Sequence, residues 1–308
     1  MCASPASIIE TTTPDPSRAR HPDATGFVER DGVRIAWERH GDGSPTILLL
    51  PTWSIIHSRF WKAQVPYLAR HFRVVTFDGR GNGRSDRPGA LEAYTTEAFA
   101  DDALAVLDAT ATSSAVLVSL SMGSRWALVL AAHHPERVAG AVFIGPSVRL
   151  AARSADREAA LAAFNAELPA YEGWAKYNRH HWRRDYPDFL EFFFAECFTE
   201  PHSTKPIEDC IGWGLETDPG TLLQIEDAKG LAEGGATEEL ARAVRCPVLV
   251  VHGSDDHVIP LAVGERLATL TRGRLVALEG SGHIPLARDP VAVNLAIRDF
   301  VLGLGSRP

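Results

Sequence analysis

Six short apolar runs, separated by stretches of helical character, constrain this chain more than any other feature. They are Thr46 to Leu50, Phe72 to Phe77, Ala115 to Val118, Val138 to Ile144, Pro247 to Val251 and Gly273 to Leu278. Each predicts a strand, and the almost wholly apolar Thr46 to Leu50 and Val138 to Ile144 predict strands buried in the sheet. Helical patterns around Phe60 to Arg70, Glu97 to Asp108 and Met122 to His134, with Pro290 to Leu302 closing the chain, imply βαβ crossovers and a mainly parallel α/β sheet. Ahead of them Phe27 to Glu38 alternates apolar and polar residues about Asp31-Gly32, which predicts a hairpin.

The rhythm breaks between Ser147 and Glu239. β-branched runs disappear, and Phe164, Trp174, Trp182, Phe193 and Trp213 belong to a crowd of aromatic residues. This shift predicts a helical insertion covering one end of the sheet. The expected organisation is therefore a disordered N-terminal tail over 1–25, a core over 26–146 and 240–305, and a helical lid over 147–239.

Composition excludes several classes of function. Of 308 residues 45% are hydrophobic and 23% charged, with a formal net charge of −8. An acidic chain without clustered Lys and Arg is not built to hold nucleic acid. The densest basic stretch, Arg179, Arg183 and Arg184 interrupted by His180, His181 and Trp182, reads as a solvated helix face. Cys2, Cys197, Cys210 and Cys246 show no spacing of a metal knuckle or disulfide framework, so free thiols are expected, with no metal and no cofactor. The first 25 residues lack the apolar core of a signal peptide, and no apolar run approaches the roughly 20 residues that span a bilayer. The expectation is a soluble cytoplasmic protein acting on a small molecule, with no membrane partner; the oligomeric state stays open.

The run ending at Val118 climbs into Ser119-Leu120-Ser121-Met122-Gly123 before the next helical pattern. A serine at the apex of a strand-turn-helix reads as an activated nucleophile, although Ser119 stands where the usual G-x-S-x-G has its first glycine. The loop Asp78 to Ser85 holds three glycines but lacks a phosphate-binding ending, which favours a structural role. Two further segments, His252 to Pro260 and Gly280 to Leu286, follow strands whose carboxyl ends share one sheet edge. Ser121, Asp255 or Asp256, and His283 can therefore converge there.

With these residues in the order Ser, Asp, His, the stretch from about Phe27 to Leu302 resembles the α/β-hydrolases of the lid-bearing esterase and epoxide-hydrolase-like group. Gly253, Asp256 and Pro260 match the family's G-x-x-D-x-x-x-P segment, and Gly282, His283 and Pro285 match its G-H-x-P segment. Asp78, Arg80, Gly81, Gly83 and Ser85 match D-x-R-G-x-G-x-S. The resemblance implies an eight-stranded, mainly parallel sheet with helices on both faces and a helical lid. It implies Ser121 as nucleophile, His283 as general base and Asp256 as the acid, with the amides of Trp53 and Met122 as oxyanion hole. The chain departs from the family at Ser119 and at Pro51-Thr52, where His-Gly is usual. Pro51 has no amide proton, so the Thr52 hydroxyl is an expected extra donor. Thr52, Ile55, His57, Trp174, Trp182 and Trp213 are candidate substrate contacts. A serine rather than an aspartate at the elbow argues against dehalogenation and epoxide opening. What remains is hydrolysis of a carboxylic ester, thioester or lactone. Carbon-carbon bond hydrolysis, perhydrolysis and a low-turnover receptor stand as alternatives.

Overall fold

The computed structural model describes residues 8–9, 18–229 and 236–305. Among the described residues nine strands form one sheet: β1 (Ile8–Ile9), β2 (Ala24–Arg30), β3 (Val33–His40), β4 (Thr46–Leu49), β5 (Arg73–Phe77), β6 (Ala115–Leu120), β7 (Val138–Ile144), β8 (Val248–Gly253) and β9 (Arg274–Leu278). Their order is β1-β2-β3-β5-β4-β6-β7-β8-β9. From β5 to β9 every neighbouring pair is parallel, while β1, β2 and β3 add antiparallel strands at one edge. The eight expected strands are all present, and β1 extends them by two residues.

Except at the edge of the sheet, where β9 is exposed or half-buried along its whole length because it has a neighbour on one side only, the apolar runs form buried strands. All six residues of β6 and of β8 are buried, because helices cover both faces of the sheet. The hairpin turns at Asp31 and Gly32, both with positive φ, and pairs Arg30 with Val33. That backbone suits an Asp-Gly pair and follows the strand twist. Burial of the aliphatic side chains of β4, β6, β7 and β8 in one continuous core is the main driving force for this arrangement, at about 1.5–3 kcal/mol for each large side chain.

The tail expected over 1–25 requires correction. β2 begins at Ala24, and Arg18 forks onto the Glu38 carboxylate of β3. Ile8 and Ile9 pair with Phe27 and Gly26; residues 1–7 and 10–17 lie outside the described residues.

Between β7 and β8 the chain forms helices including Ala155–Ala162, Arg179–Arg184, Tyr186–Cys197, Thr204–Gly214 and Pro219–Lys229. The aromatic crowd is what binds this insertion to the core. Trp53, which follows β4, packs against Tyr177, Trp182 and Phe193, with centroids 6.0, 5.8 and 5.4 Å away. Such aromatic pairs add about 0.5–1.5 kcal/mol each beyond the area they bury.

The glycine-rich loop after β5 is a structural knot, as its composition suggested. Asp78 accepts hydrogen bonds from the Ser58 amide (3.0 Å) and the Arg84 amide (2.9 Å), and a Cβ on Gly83 would lie 2.3 Å from the Asp78 carboxylate. Arg80, 2% exposed, forks onto the fully buried Asp102 at 2.6 and 2.7 Å. A buried guanidinium must be paired in this way.

Candidate active site

The carboxyl ends of β4, β6, β7, β8 and β9 deliver the candidate residues to one edge. Register pairs Leu120 with Ile144, Ile144 with Val251 and Gly253 with Leu278, so the turns leaving these strands are neighbours. Ser121 follows β6 directly and has φ +50, a left-handed conformation that costs a non-glycine residue about 1–3 kcal/mol. Neighbours hold it there. Its amide donates to the Ile144 carbonyl at 2.9 Å, and its carbonyl accepts from the amides of Ser124 and Ser147, each at 3.0 Å. The turn is sharp because Gly123 lets the following helix, Gly123–His133, pass close to Pro51. A Cβ on Gly123 would stand 2.5 Å from the Pro51 carbonyl oxygen.

Ser119 fits the position where a glycine is usual. Its hydroxyl donates to the Val142 carbonyl at 3.2 Å and lies 3.3 Å from the Ser124 hydroxyl. A fully buried hydroxyl with partners carries little penalty, so the elbow forms without that glycine.

Ser121, His283 and Asp256 form one hydrogen-bonded line. The Ser121 hydroxyl lies 2.9 Å from His283 Nε2, and His283 Nδ1 lies 2.7 Å from Asp256 Oδ2. With Nδ1 donating to the carboxylate, Nε2 is left to accept the serine proton. The other oxygen, Asp256 Oδ1, accepts the amides of Val258 and Ile259, both at 2.8 Å. This identifies Asp256 rather than Asp255 as the carboxylate facing the histidine. Burial pushes the Asp256 carboxyl up, but the His283 ring and the hydrogen bonds from His252 and His283 outweigh it, holding the carboxyl well below the usual range. It is a carboxylate at any ordinary pH. Gly145, at the end of β7, shapes the floor: a Cβ there would lie 3.2 Å from His283 Nδ1.

His252 belongs to this group although only its segment stood out in the sequence. The side chain is fully buried, and Nε2 lies 3.0 Å from the Ile259 carbonyl and 3.2 Å from Asp256 Oδ2. Both partners are acceptors, so Nε2 carries a proton and points it at the acid. Nδ1 has no partner among the described residues, and only a glycine at 264 leaves room for it, since a Cβ there would approach to 2.4 Å. The available signal was a histidine closing an otherwise aliphatic run, four residues before Asp256.

The candidate oxyanion donors belong to the turns that leave β6 and β4. Met122 follows Ser121 and caps the helix that begins at Gly123. Trp53 follows Leu50, whose amide donates to the Val118 carbonyl at 2.9 Å, so its segment leaves β4 next to the end of β6. The Thr52 hydroxyl, expected as an extra donor, is committed elsewhere: it donates to the Leu120 carbonyl at 2.9 Å. Its one proton holds strand ends together rather than facing the site.

Two of the expected substrate contacts, Trp182 and Ile55, are corrected by their burial. Trp182 is fully buried among Trp53, Phe164, Tyr177 and Phe189, so it is core. Ile55 is 2% exposed and also packs in the core. His57 turns to the Arg59 amide (3.3 Å) and Glu216 (3.2 Å), with Trp213 beside its ring. Burial pushes the His57 ring down, against the opposing pull of Asp78 and Glu216. Trp213 also stacks on the Lys62 ammonium, and Trp174 lies under the Arg157 guanidinium at 4.3 Å. Both rings are half-buried against the core.

Among the described residues no three His, Cys, Asp or Glu side chains gather as a metal site, and no helix is long and apolar enough to cross a membrane.

Comparison with known proteins agrees with this fold. The family model described as alpha/beta hydrolase fold matches residues 45–209. A pimeloyl-[acyl-carrier protein] methyl ester esterase of Aromatoleum aromaticum is 30% identical over 268 residues, covering 84% of this chain and 99% of that one. A non-heme haloperoxidase of Rhodococcus erythropolis is 28% identical, covering 88% and 97%. The crystal structure of an esterase, RhEst1, from a Rhodococcus species superposes with a TM-score of 0.72 at 26% identity, covering 90% and 98%. The chain belongs to the α/β-hydrolase fold family and is an enzyme of hydrolase type.

Proposed function

We propose that the chain is a serine hydrolase that cleaves a carboxylic ester, thioester or lactone of a small, partly apolar substrate through an acyl-enzyme. One observation carries this reading: the unbroken line from Ser121 Oγ through His283 to Asp256, at 2.9 and 2.7 Å. As Ser121 Oγ attacks the substrate carbonyl carbon, His283 Nε2 takes its proton, and Asp256 stabilises the imidazolium without being protonated itself. The amides of Met122 and Trp53 are assigned to the oxygen that gains negative charge, a task worth about 100-fold or more per donor. Nε2 then returns the proton to the departing alcohol, thiol or ring oxygen. A water molecule, deprotonated by His283, cleaves the acyl-Ser121 bond and releases the acid. The helical insertion acts as a lid over this edge, keeping the reacting groups out of bulk water. Three free thiols, Cys197, Cys210 and Cys246, fit a reducing, cytoplasmic setting.

A second reading is favoured by the haloperoxidase relative. Hydrogen peroxide in place of water would attack the same acyl-enzyme and leave as a peracid, with Ser121 regenerated. Both readings are tested together. A fluorophosphonate should label the wild type and not Ser121→Ala, and turnover of aryl esters, lactones and dienoic ketones, with and without peroxide, sorts the reactions. An unlabelled wild type refutes the activated serine, and labelling without turnover of any substrate points to a receptor.

A further inference from the structure

The loop that carries His283 is held from outside the sheet. Ser281 Oγ and the Gly282 amide both donate to Glu200 Oε1, each at 2.9 Å. The next donor, the His283 amide, reaches the Cys197 carbonyl at 2.9 Å. Three successive residues of the histidine loop thus hydrogen-bond to a four-residue stretch of the helical insertion. On the acid side the Thr199 hydroxyl donates to the Asp255 carbonyl at 3.1 Å. The same stretch therefore touches the loops of both His283 and Asp256.

The glycines of the two motifs report how tight this clamp is. A Cβ on Gly282 would lie 2.8 Å from the Cys197 carbonyl oxygen, and one on Gly253 would lie 2.1 Å from the Ser281 carbonyl oxygen. The histidine loop is pressed between the insertion on one side and the end of β8 on the other, and the Asp255 amide donates to the Ser281 carbonyl at 3.0 Å. Glu200 is the one charged acceptor in this clamp. Hydrogen bonds to a carboxylate are shorter and about twice as strong as neutral ones. Its second oxygen, Oε2, is buried with no partner among the described residues. A buried carboxylate oxygen without a partner costs stability, so Glu200 is poorly explained as packing alone.

We propose that Glu200 is a positioning residue: its carboxylate fixes the 281–283 loop, and through it the His283 ring, so that the proton-accepting line is assembled only while the insertion is seated. This rests on reading Ser121, His283 and Asp256 as the reacting groups. The site is then built from two parts of the fold, with the nucleophile on the sheet and the base clamped to the lid.

The test compares full-length wild type, Glu200→Gln and Glu200→Ala. Amide hydrogen exchange of segment 279–284 reads the loop directly, fluorophosphonate labelling reads the serine, and aryl ester turnover gives kcat and KM. With Glu200→Ala the loop amides should exchange about tenfold faster, and kcat and labelling should fall about 10- to 100-fold with KM little changed. Glu200→Gln keeps an acceptor oxygen and should recover most of the loss. Asp188→Asn, which weakens insertion contacts to Lys176 and His181, should lower the melting temperature without moving either loop readout. If Glu200→Ala does not fold, Ser281→Ala takes its place with a smaller change in the same direction. Wild-type exchange and labelling in the folded variant would overturn the proposal. An unlabelled wild type would instead refute the serine hydrolase reading, while the exchange measurement would still decide whether Glu200 holds the loop.

Discussion

His252 and His283 meet at one atom, Asp256 Oδ2, which lies 3.2 Å from the first and 2.7 Å from the second. The carboxylate that orients the base is thus itself oriented by a second imidazole. Two backbone amides on the other oxygen complete its shell. Removing the His252 donor, as in His252→Leu, leaves Asp256 Oδ2 with His283 alone and loosens the carboxylate that orients the base. One net hydrogen bond of about 1 kcal/mol corresponds to about a fivefold loss of kcat, with KM little changed. Aryl ester kinetics of His252→Leu that overlay the wild type would show that His252 only fills space.

The Thr52 hydroxyl separates two views of the oxyanion hole. Its proton is engaged by the Leu120 carbonyl, so Thr52→Val should cost roughly 1 kcal/mol of stability and leave kcat within a few-fold of wild type. A true oxyanion donor, once removed, costs about 100-fold or more. Aryl ester kinetics and urea unfolding on this one variant decide between them, and a 100-fold loss of kcat would return Thr52 to the hole.

How far these details could be read in advance depends on the range of the interaction. The parallel strands were legible because uniform burial leaves an unbroken aliphatic record, as in Ala115 to Val118 and Val248 to Val251. Ser121, the Asp255-Asp256 pair and His283 were legible because each follows a strand whose carboxyl end shares one edge, and the match of Gly253, Asp256 and Pro260 to the family segment chose between the two aspartates. Glu200 was not legible: its partners lie 81 and 82 residues away, and an isolated glutamate after a helix carries no local signature. Trp182 and Trp174 look alike in sequence. Only the folded chain shows one fully buried and the other under a guanidinium. The Thr52 hydroxyl was misread for the same reason, since its acceptor belongs to another strand.

Ser121 holds its left-handed backbone at a cost in stability. Glycine adopts that conformation without the Cβ clash. Ser121→Gly and Ser121→Ala should both abolish turnover, with the glycine variant the more stable of the two by about 1 kcal/mol. Urea unfolding of the pair isolates the backbone term, because both have lost the same hydroxyl. An alanine variant as stable as the glycine one would mean that the turn stores no strain.

Acid sensitivity should come chiefly from two buried carboxylates. Burial pushes Glu38 up, but His40, Arg18 and Arg84 outweigh it and bring it from 4.5 down to about 2. Asp256 is held down in the same sense. A carboxyl with a depressed folded value stabilises the fold above its unfolded value. That contribution is lost as pH falls through the folded value, here between about pH 4.5 and 2 for Glu38. At 1.36 kcal/mol per unit, the Glu38 contribution is on the order of 3 kcal/mol. Glu38→Gln should therefore be less stable than wild type at pH 7 and should show a flatter loss of stability between pH 5 and pH 3, the range that equilibrium unfolding can follow. The same slope in both proteins over that range would place the acid sensitivity elsewhere, with Asp256 the next carboxylate to substitute.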